Sequence, residues 1–419
     1  MPGHRFPLFC VDEFPHDGLC FLTHFHADHY QGLSCTFAGT LYCTHVTKQL
    51  VTRCLGVSAS RVIGVDYHDT LSVAVGKDVV EVTALDAHHC PGSAMFLFRY
   101  PVGDAGGAAG DKKTFHTMLY TGDVRWVDPH PDTVRFLQAY SPVDCLFLDT
   151  TFMAPEFLTL PTQEESVREI LCCVGAKASH GQVLLHLRCL GSEMVLRALV
   201  HRFHCKVFLH PGMPERRLQE IQLVCGDLQD WQCTDWHEFL RQPMQVIVCC
   251  SIAKGLGWLR HPCARSHSSD REDKHDPSSP TLHVVTMSAR WSGCARVVSP
   301  SQDQGSSTMH PFRRQLQSMQ SQGSPSLCMS WNRTSCGCIS QSKFLFSMHS
   351  SLEELRDLVS LCQPVAGGSP RIQLQQHSLD RHFPSSRVQE LLKLPVSDSE
   401  ESLMPPPPPP PSLLRRGRH

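Results

Sequence analysis

The chain has 419 residues, 41% of them hydrophobic and 19% charged, with a formal net charge of −2 at pH 7. That is apolar residue enough for two packed domains and a tail, and the near-neutral balance excludes a global basic field as the means of holding nucleic acid, leaving only a locally basic groove. The 21 cysteines contain no CxxC pair, which excludes zinc ribbons and thioredoxin-like sites; with no signal-like opening and no run of 18 apolar residues, they read as reduced, buried residues of an intracellular protein.

Cys20-Phe21-Leu22-Thr23 reads as a short apolar strand, and His24-Phe25-His26-Ala27-Asp28-His29 follows it directly. In an extended segment, side chains at i and i+2 point the same way, so His24 and His26 grip one ion from a strand end. If the chain then turns into a helix, Asp28 and His29 swing toward a neighbouring ion position. Neutral imidazole and carboxylate suit zinc at about 2.0–2.2 Å, and such an ion lowers the pKa of water to roughly 7. Histidine is plentiful, 26 of 419, and one such pattern is expected in about one of a few hundred random sequences. Two later elements argue against chance: Asp86-Ala87-His88-His89-Cys90-Pro91-Gly92 and Tyr120-Thr121-Gly122-Asp123. Together the three supply the nitrogen and oxygen ligands of a hydrolytic metal centre.

Between the later two, Met95-Phe96-Leu97-Phe98-Arg99-Tyr100 and Thr117-Met118-Leu119-Tyr120 read as paired strands. The Gly-rich segment 103–110 joins them; it lacks the Lys and Ser/Thr of a P-loop and reads as a plain hairpin connection. From residue 160 the rhythm becomes alternating helix and strand. Thr162 and Glu165 form a capping box before a helix through Val167, Ile170, Leu171 and Val174. Residues 183–187 read as a buried strand, 193–203 as a helix, and 207–209 and 246–250 as further strands. This alternation predicts a parallel sheet flanked by helices.

Residues 262–343, rich in Ser, Gln, Arg and His without periodicity, read as a disordered insertion. Arg290-Trp291 and Trp331-Asn332-Arg333 stand in it without the charge run or stacking array that single-stranded nucleic acid would need. Order is expected to resume at Phe344-Leu345-Phe346-Ser347, followed by Met348-His349-Ser350-Ser351. Ser351 and Glu354 cap a helix carrying Leu352, Leu355, Val359 and Leu361. From 366 the chain is a Gly/Ser/Pro/Gln-rich tail with a polyproline run at 405–411, read as a linker in preference to an SH3 or WW ligand.

These residues resemble the metallo-β-lactamase superfamily, its β-CASP branch of nucleases, and within that branch the DNA cross-link-repair nucleases (the Artemis and Apollo kin). The likeness is carried by Pro2-Gly3, Cys10-Val11-Asp12-Glu13-Phe14, the stretch from Phe21 to Tyr30, Gln31-Gly32-Leu33-Ser34, Leu41-Tyr42-Cys43, Leu85 to Ser93, Leu119 to Arg125, and Leu148-Asp149-Thr150-Thr151-Phe152. It is dense over 2–152, thinner to about 260, and returns near 346–363. The resemblance implies an α/β fold: a metallo-β-lactamase αββα sandwich with an inserted β-CASP α/β cap domain and disordered segments. The implied division is 1–155 sandwich, 156–261 cap, 262–343 insertion, 344–365 return to the sandwich, and 366–419 Pro-rich tail.

Carried over position by position, the resemblance implies a first metal site of His24, His26 and His89 with Asp123 at its edge. A second would use Asp28, His29, Asp123 and His349, with Asp123 bridging. His89 takes the ligand role because Cys90-Pro91-Gly92 follows it directly, leaving His88 as a neighbour. The implied cofactor is Zn2+, one or two ions, with Mg2+ or Mn2+ as alternatives at the second position. The implied catalytic residues are Asp28, Asp123, Asp149 and His349, with Asp28 orienting or deprotonating water, Asp149 supporting His349, and Asp12 a structural hydrogen-bond partner. Arg188, Cys189, Ser192 and Lys254, with Trp258, fall at positions near the substrate. Relatives carry Ser and Lys where this chain has Cys189 and Ser192, a pair that helps hold a terminal 5′-phosphate. The lost lysine removes a phosphate-binding charge that Arg188 would have to replace. Met348 stands where an acidic residue is usual. After Val365 the expected closing strand gives way to Ala366-Gly367-Gly368-Ser369, which would expose a sheet edge.

The implied activity is that of a metal-dependent DNA nuclease, a 5′-to-3′ exonuclease hydrolysing phosphodiester bonds with a zinc-activated water, in interstrand cross-link repair or end processing. The implied partners are DNA with a 5′ end, in the nucleus, and repair proteins through the Pro-rich tail, with no membrane. Alternatives are an RNA-processing β-CASP nuclease and a catalytically weakened homologue that binds DNA or protein.

Overall fold

The computed structural model describes residues 4–102, 114–178, 181–228, 231–258, 281–288, 328–332, 339–364, 371–375 and 391–392. Two sheets face one another. The first runs in order through β1 (His4–Arg5), β2 (Cys10–Val11), β3 (Leu19–Phe21), β4 (Thr40–Thr44) and β5 (Val62–Val65), parallel except for the β1–β2 pair. In the second, β6 (Thr70–Val75), β7 (Asp78–Asp86), β8 (Ala94–Val102) and β9 (Thr114–Tyr120) form an antiparallel meander. β10 (Cys145–Asp149) then joins β9 in parallel. The pairing expected for the two strands around 95–100 and 117–120 is the β8–β9 pair.

The period of two along β8 explains the layering. Phe96 and Phe98 point between the sheets, with Phe9, Phe21, Tyr120 and Phe147. Met95 and Leu97 point to the other face, where α2 (Pro131–Tyr140) and the last helix pack through Leu137, Leu352, Leu355 and Val359. A strand buried on both faces reads as continuous apolar sequence. On the outer face of the first sheet lies α1 (His45–Cys54), through Leu50 and Val51. The layers are therefore helix, sheet, sheet, helix, with each fully buried Phe or Leu contributing about 1.5–3 kcal/mol.

The chain leaves the sandwich after β10 and builds a third sheet. Its elements are α3 (Gln163–Ala178), β11 (Gly181–His186), α4 (Glu193–Phe203), β12 (Val207–Leu209), α5 (Glu215–Val224), β13 (Gln232–Cys233), α6 (Trp236–Leu240), β14 (Val246–Cys249), α7 (Ile252–Trp258), β15 (Thr281–Ser288), β16 (Cys328–Asn332) and β17 (Ile339–Leu345). The spatial order is β13-β12-β14-β11-β15-β17-β16, parallel throughout except for the β16 edge. Val195, Leu196, Leu199 and Ile221 cover one face, Phe239 the other. β11 is the topological switch point: the chain moves to one side of it before β14 and to the other after. In open α/β sheets, the loops at such strand ends form the binding crevice. After β17 the chain re-enters the sandwich as α8 (Leu352–Cys362), whose Ser351–Glu354 capping box closes in both directions.

Three expectations need correction. The proposed disordered insertion over 262–343 contains β15, β16 and the start of β17. Leu282, Val284 and Val285 are buried at 1% exposure or less. The polar–apolar alternation of Thr281–Ser288 is interrupted at Val284-Val285 and the strand is set in polar sequence, yet it pairs with β11 over 281–286 and with β17 over 282–288. The closing strand said to be missing is supplied by β18 (Arg371–Gln375), parallel to β10. Leu391 and Leu392 are also buried in the sandwich core, so the return extends past 365 into the segment read as tail. The Gly-rich stretch 103–110, the pair Arg290-Trp291, Arg333 and the polyproline run lie outside the described residues. Among the described residues, no helix is long and apolar enough to cross a membrane.

Candidate metal centre

The site begins with Asp12, which follows β2 with φ of 53°. Its buried carboxylate accepts from Thr23 N at 2.8 Å, Thr23 Oγ1 at 2.8 Å and His29 Nδ1 at 2.8 Å. One side chain thus ties the exit of β3 to the end of the histidine run. Where a helix was expected, the chain makes a single turn: the N–H groups of His29 and Tyr30 both donate to His26 O at 3.0 Å. Gly122, with φ of +54°, brings Asp123 against this turn; a Cβ there would meet Thr23 Cβ at 2.8 Å.

Three nitrogens converge. His26 Nδ1 lies 3.0 Å from both His24 Nε2 and His89 Nε2. Asp123 Oδ2 is 3.6 Å from His24 Nε2 and 3.4 Å from His89 Nε2, while its Oδ1 is 3.2 Å from His29 Nε2. Each outer imidazole nitrogen has a partner: His24 Nδ1 with Thr23 Oγ1 at 3.0 Å, His26 Nε2 with Leu190 O at 2.9 Å, and His89 Nδ1 with Met348 O at 2.7 Å. Leu190 and Met348 offer carbonyls, and Thr23 Oγ1 already donates to Asp12, so all three outer nitrogens donate. The inner nitrogens then carry lone pairs directed at one another, an arrangement that favours a shared cation. Tetrahedral ligands at about 2.0–2.1 Å would stand about 3.3 Å apart, close to what the imidazoles show.

The electrostatics agree. Burial holds His24 and His89 well below the ordinary histidine pKa and lowers His26 as well, which favours the neutral imidazole that a cation would need. For His29, burial pushes downward, but the carboxylates of Asp123 and Asp12 outweigh it and raise the pKa well above the ordinary value. The His29 position therefore favours positive charge.

A second group abuts the first: ligand atoms of Asp123, Asp149 and His349 lie within 4.8 Å of one another. Asp149 accepts from Thr151 N at 2.9 Å and Val124 N at 3.2 Å, and its Oδ2 takes the Nδ1 hydrogen of His349 at 2.9 Å. That bond directs His349 Nε2 toward Asp123 Oδ2, 3.9 Å away. The donor set fits a divalent ion in each group.

Other anticipated residues are placed differently. Asp28 is exposed and outside both convergent groups, although its charge reaches His26. His88 turns to Asp86, 3.3 Å away, and takes no part. Arg188 and Lys254 are exposed on the cap. Ser192 Oγ donates back to Cys189 O at 2.5 Å. Beneath that turn, buried Arg217 donates to Cys189 O at 3.0 Å and pairs with Glu193 and Glu220. Sequence reasoning missed this ion cluster, and it placed Arg125 in the Leu119–Arg125 stretch without a role for its fully buried side chain; no local pattern marks Arg217 as buried.

His68, His130 and Asp132 form a further cluster whose ligand atoms lie within 4.8 Å of one another. Here His130 Nδ1 caps α2 by accepting from Asp132 N, and the His68 and His130 rings stack at 5.2 Å. Stacked rings do not share a ligand plane, and the positive end of a helix dipole disfavours a cation. We read this cluster as a helix cap.

The Beta-lactamase superfamily domain model matches residues 4–218. Among curated relatives, 5′ exonuclease Apollo of Rattus norvegicus is 34% identical over 209 residues, covering 49% of this chain and 35% of that protein. DNA ligase 6 of Arabidopsis thaliana is 34% identical over 228 residues, 52% of this chain and 15% of that one. DNA cross-link repair 1A protein of Mus musculus is 34% identical over 224 residues, 52% of this chain and 20% of that one. The chain therefore spans about a third or less of the length of these relatives.

Proposed function

This chain belongs to the beta-lactamase superfamily, and from that premise we propose that it is a metal-dependent DNA nuclease, working from a 5′ end in interstrand cross-link repair or end processing. The observation that carries the reading is the convergence of three pinned, neutral imidazoles on one point, facing the strand ends of a parallel cap sheet. Relatives named 5′ exonuclease Apollo and DNA cross-link repair 1A protein support DNA as the substrate.

His24, His26, His89 and Asp123 would hold one Zn2+; Asp123 and His349, with Asp149 behind His349, would hold a second, for which Mg2+ or Mn2+ are alternatives. Such ions supply a more acidic water and neutralise charge developing at phosphorus. Asp28, exposed beside His26, takes the proton from the attacking water. Asp149 keeps His349 in the tautomer that presents Nε2. Exposed Arg188 and Lys254 draw the DNA backbone along the cap rim, past Cys189 and Ser192. The site of action is the nucleus, with repair proteins held by the Pro-rich tail.

The test is a time course on 3′-labelled single-stranded DNA, with a chelator control and the Asp28→Asn variant. A chelator-sensitive ladder shortening from the 5′ end and absent in the variant is expected. Full activity in the variant would sink the assignment, and faster cutting of a matched RNA would move the substrate to RNA, since the 2′-OH is what separates the two. A second reading, a weakened homologue that binds DNA, draws on the Leu187–Ser192 turn, where Ser192 bonds inward and Arg217 is neutralised by two carboxylates. Tight DNA binding by a zinc-loaded protein without turnover would favour it.

A further inference from the structure

The cap is joined to the sandwich by two crossings, outward through Leu160 and Pro161 and back through Ser347 to His349. One side chain touches both. Arg125 Nη2 donates to Pro161 O at 2.8 Å and Leu160 O at 3.5 Å; Nη1 donates to His349 O at 3.2 Å and Ser347 O at 3.4 Å. Glu354 on α8 completes the set, 3.1 Å from Nη2. The carbonyl between those of Ser347 and His349 belongs to Met348, and it orients His89. Three consecutive carbonyls therefore serve the guanidinium, a metal-ligand imidazole and the guanidinium again.

We propose that Arg125 is a positioning residue that couples metal loading to the seating of the cap. The proposal rests on the metal centre described above. Ions held in the two groups would restrain residues 347–349, one through His349 itself and the other through His89, which bonds the Met348 carbonyl. The guanidinium, held rigid by its planar fork, passes that restraint to Leu160 and Pro161, which touch no ligand. Coupling of this kind is reciprocal, so firm crossings also tighten metal binding. Neighbouring bonds reinforce the arrangement: Gln163 Nε2 donates to Ser347 O at 3.3 Å, Ser350 N to Val124 O at 2.8 Å, and Trp126 N to Ser350 Oγ at 2.8 Å. None of these reaches both crossings and the ligand loop through one rigid group. Lysine would keep the charge and lose the fork, so it cannot serve four carbonyls at once.

The experiment is hydrogen exchange on the full chain, with and without Zn2+, following peptides over 158–163 and 346–351, together with zinc affinity by chelator competition. In the parent, zinc slows exchange at both crossings. In Arg125→Lys, zinc protection at 158–163 is lost and zinc affinity falls about 10–100-fold, the range for partners that orient metal ligands. Glu354→Gln retains the helix cap, because Gln also serves a capping box, and shows a smaller loss in the same direction. Parental zinc affinity and intact 158–163 protection in a folded Arg125→Lys, or in Glu354→Gln if the lysine variant does not fold, would overturn the proposal. So would a parent that binds zinc without protecting 158–163. A parent that shows the coupling and cuts no nucleic acid would overturn only the nuclease reading.

Discussion

The His24–His29 corner and the Leu187–Ser192 turn meet at one hydrogen bond, His26 Nε2 to Leu190 O, yet they follow opposite electrostatic plans. In the corner, neutral imidazoles aim lone pairs at a common point beside a carboxylate. In the turn, Arg217 stands between Glu193 and Glu220, and Gly191 N also donates to Glu193 at 2.6 Å. Charge is satisfied within the turn, which gives it rigidity; in the corner the donor set matches a cation supplied from outside, which gives it chemistry. The rigid side holds the reactive side in register through Leu190.

That contrast can be broken most severely at His89. His89→Ala removes one of the three inner nitrogens, and both zinc content by mass spectrometry and DNA cleavage should fall to background; a variant that keeps its zinc would show that the corner is not the ligand set. Asp28→Asn should lower turnover about 10²–10⁴-fold, as for loss of a general base, with zinc content unchanged. On the satisfied side, Arg217→Met strands two buried carboxylates and should destabilise the chain by about 3–5 kcal/mol in urea unfolding. If it does not, the turn is held by something other than its ion pairs.

Acidification sharpens the same comparison. Burial lowers the pKa values of His24, His26 and His89, so the unfolded chain binds more protons than the folded one as pH drops. Their contribution is complete above an unfolded value of about 6.5 and is lost as pH falls toward the depressed folded values. His29 has the opposite sign: its raised pKa contributes fully below about 6.5, and that contribution is lost as pH rises through the folded value. The zinc-free protein should therefore lose more stability between pH 7 and pH 5.5 than its His24→Gln variant does, read by thermal denaturation. Equal losses would mean His24 is not held neutral. The smallest effect belongs to Lys254, exposed on α7: Lys254→Ala should leave turnover unchanged and reduce the salt slope of DNA binding by about one.

Much of this was legible in the chain itself. A strand end followed by alternating histidines needs only the two-residue repeat of extended backbone, and the αβ rhythm from 160 to 250 needs only local apolar spacing. β15 and β18 were not legible, because strands set in polar sequence without a clean alternation carry little pattern and are held by neighbours far away in sequence. Asp28 illustrates the limit of motif reading: the motif places it among the ligands, while the single turn after His26 leaves it exposed.

The sequence by itself determined the order and chemistry of the candidate metal-binding side chains, because those are properties of residue type and short spacing. Only the tertiary structure decided what orients them. His26 is fixed by the carbonyl of a residue 164 positions away, and His89 by one 259 positions away. Every residue carries a carbonyl, so no residue type marks the one that will serve; folding alone brings Leu190, Met348 and the Arg125 guanidinium to the places where they act.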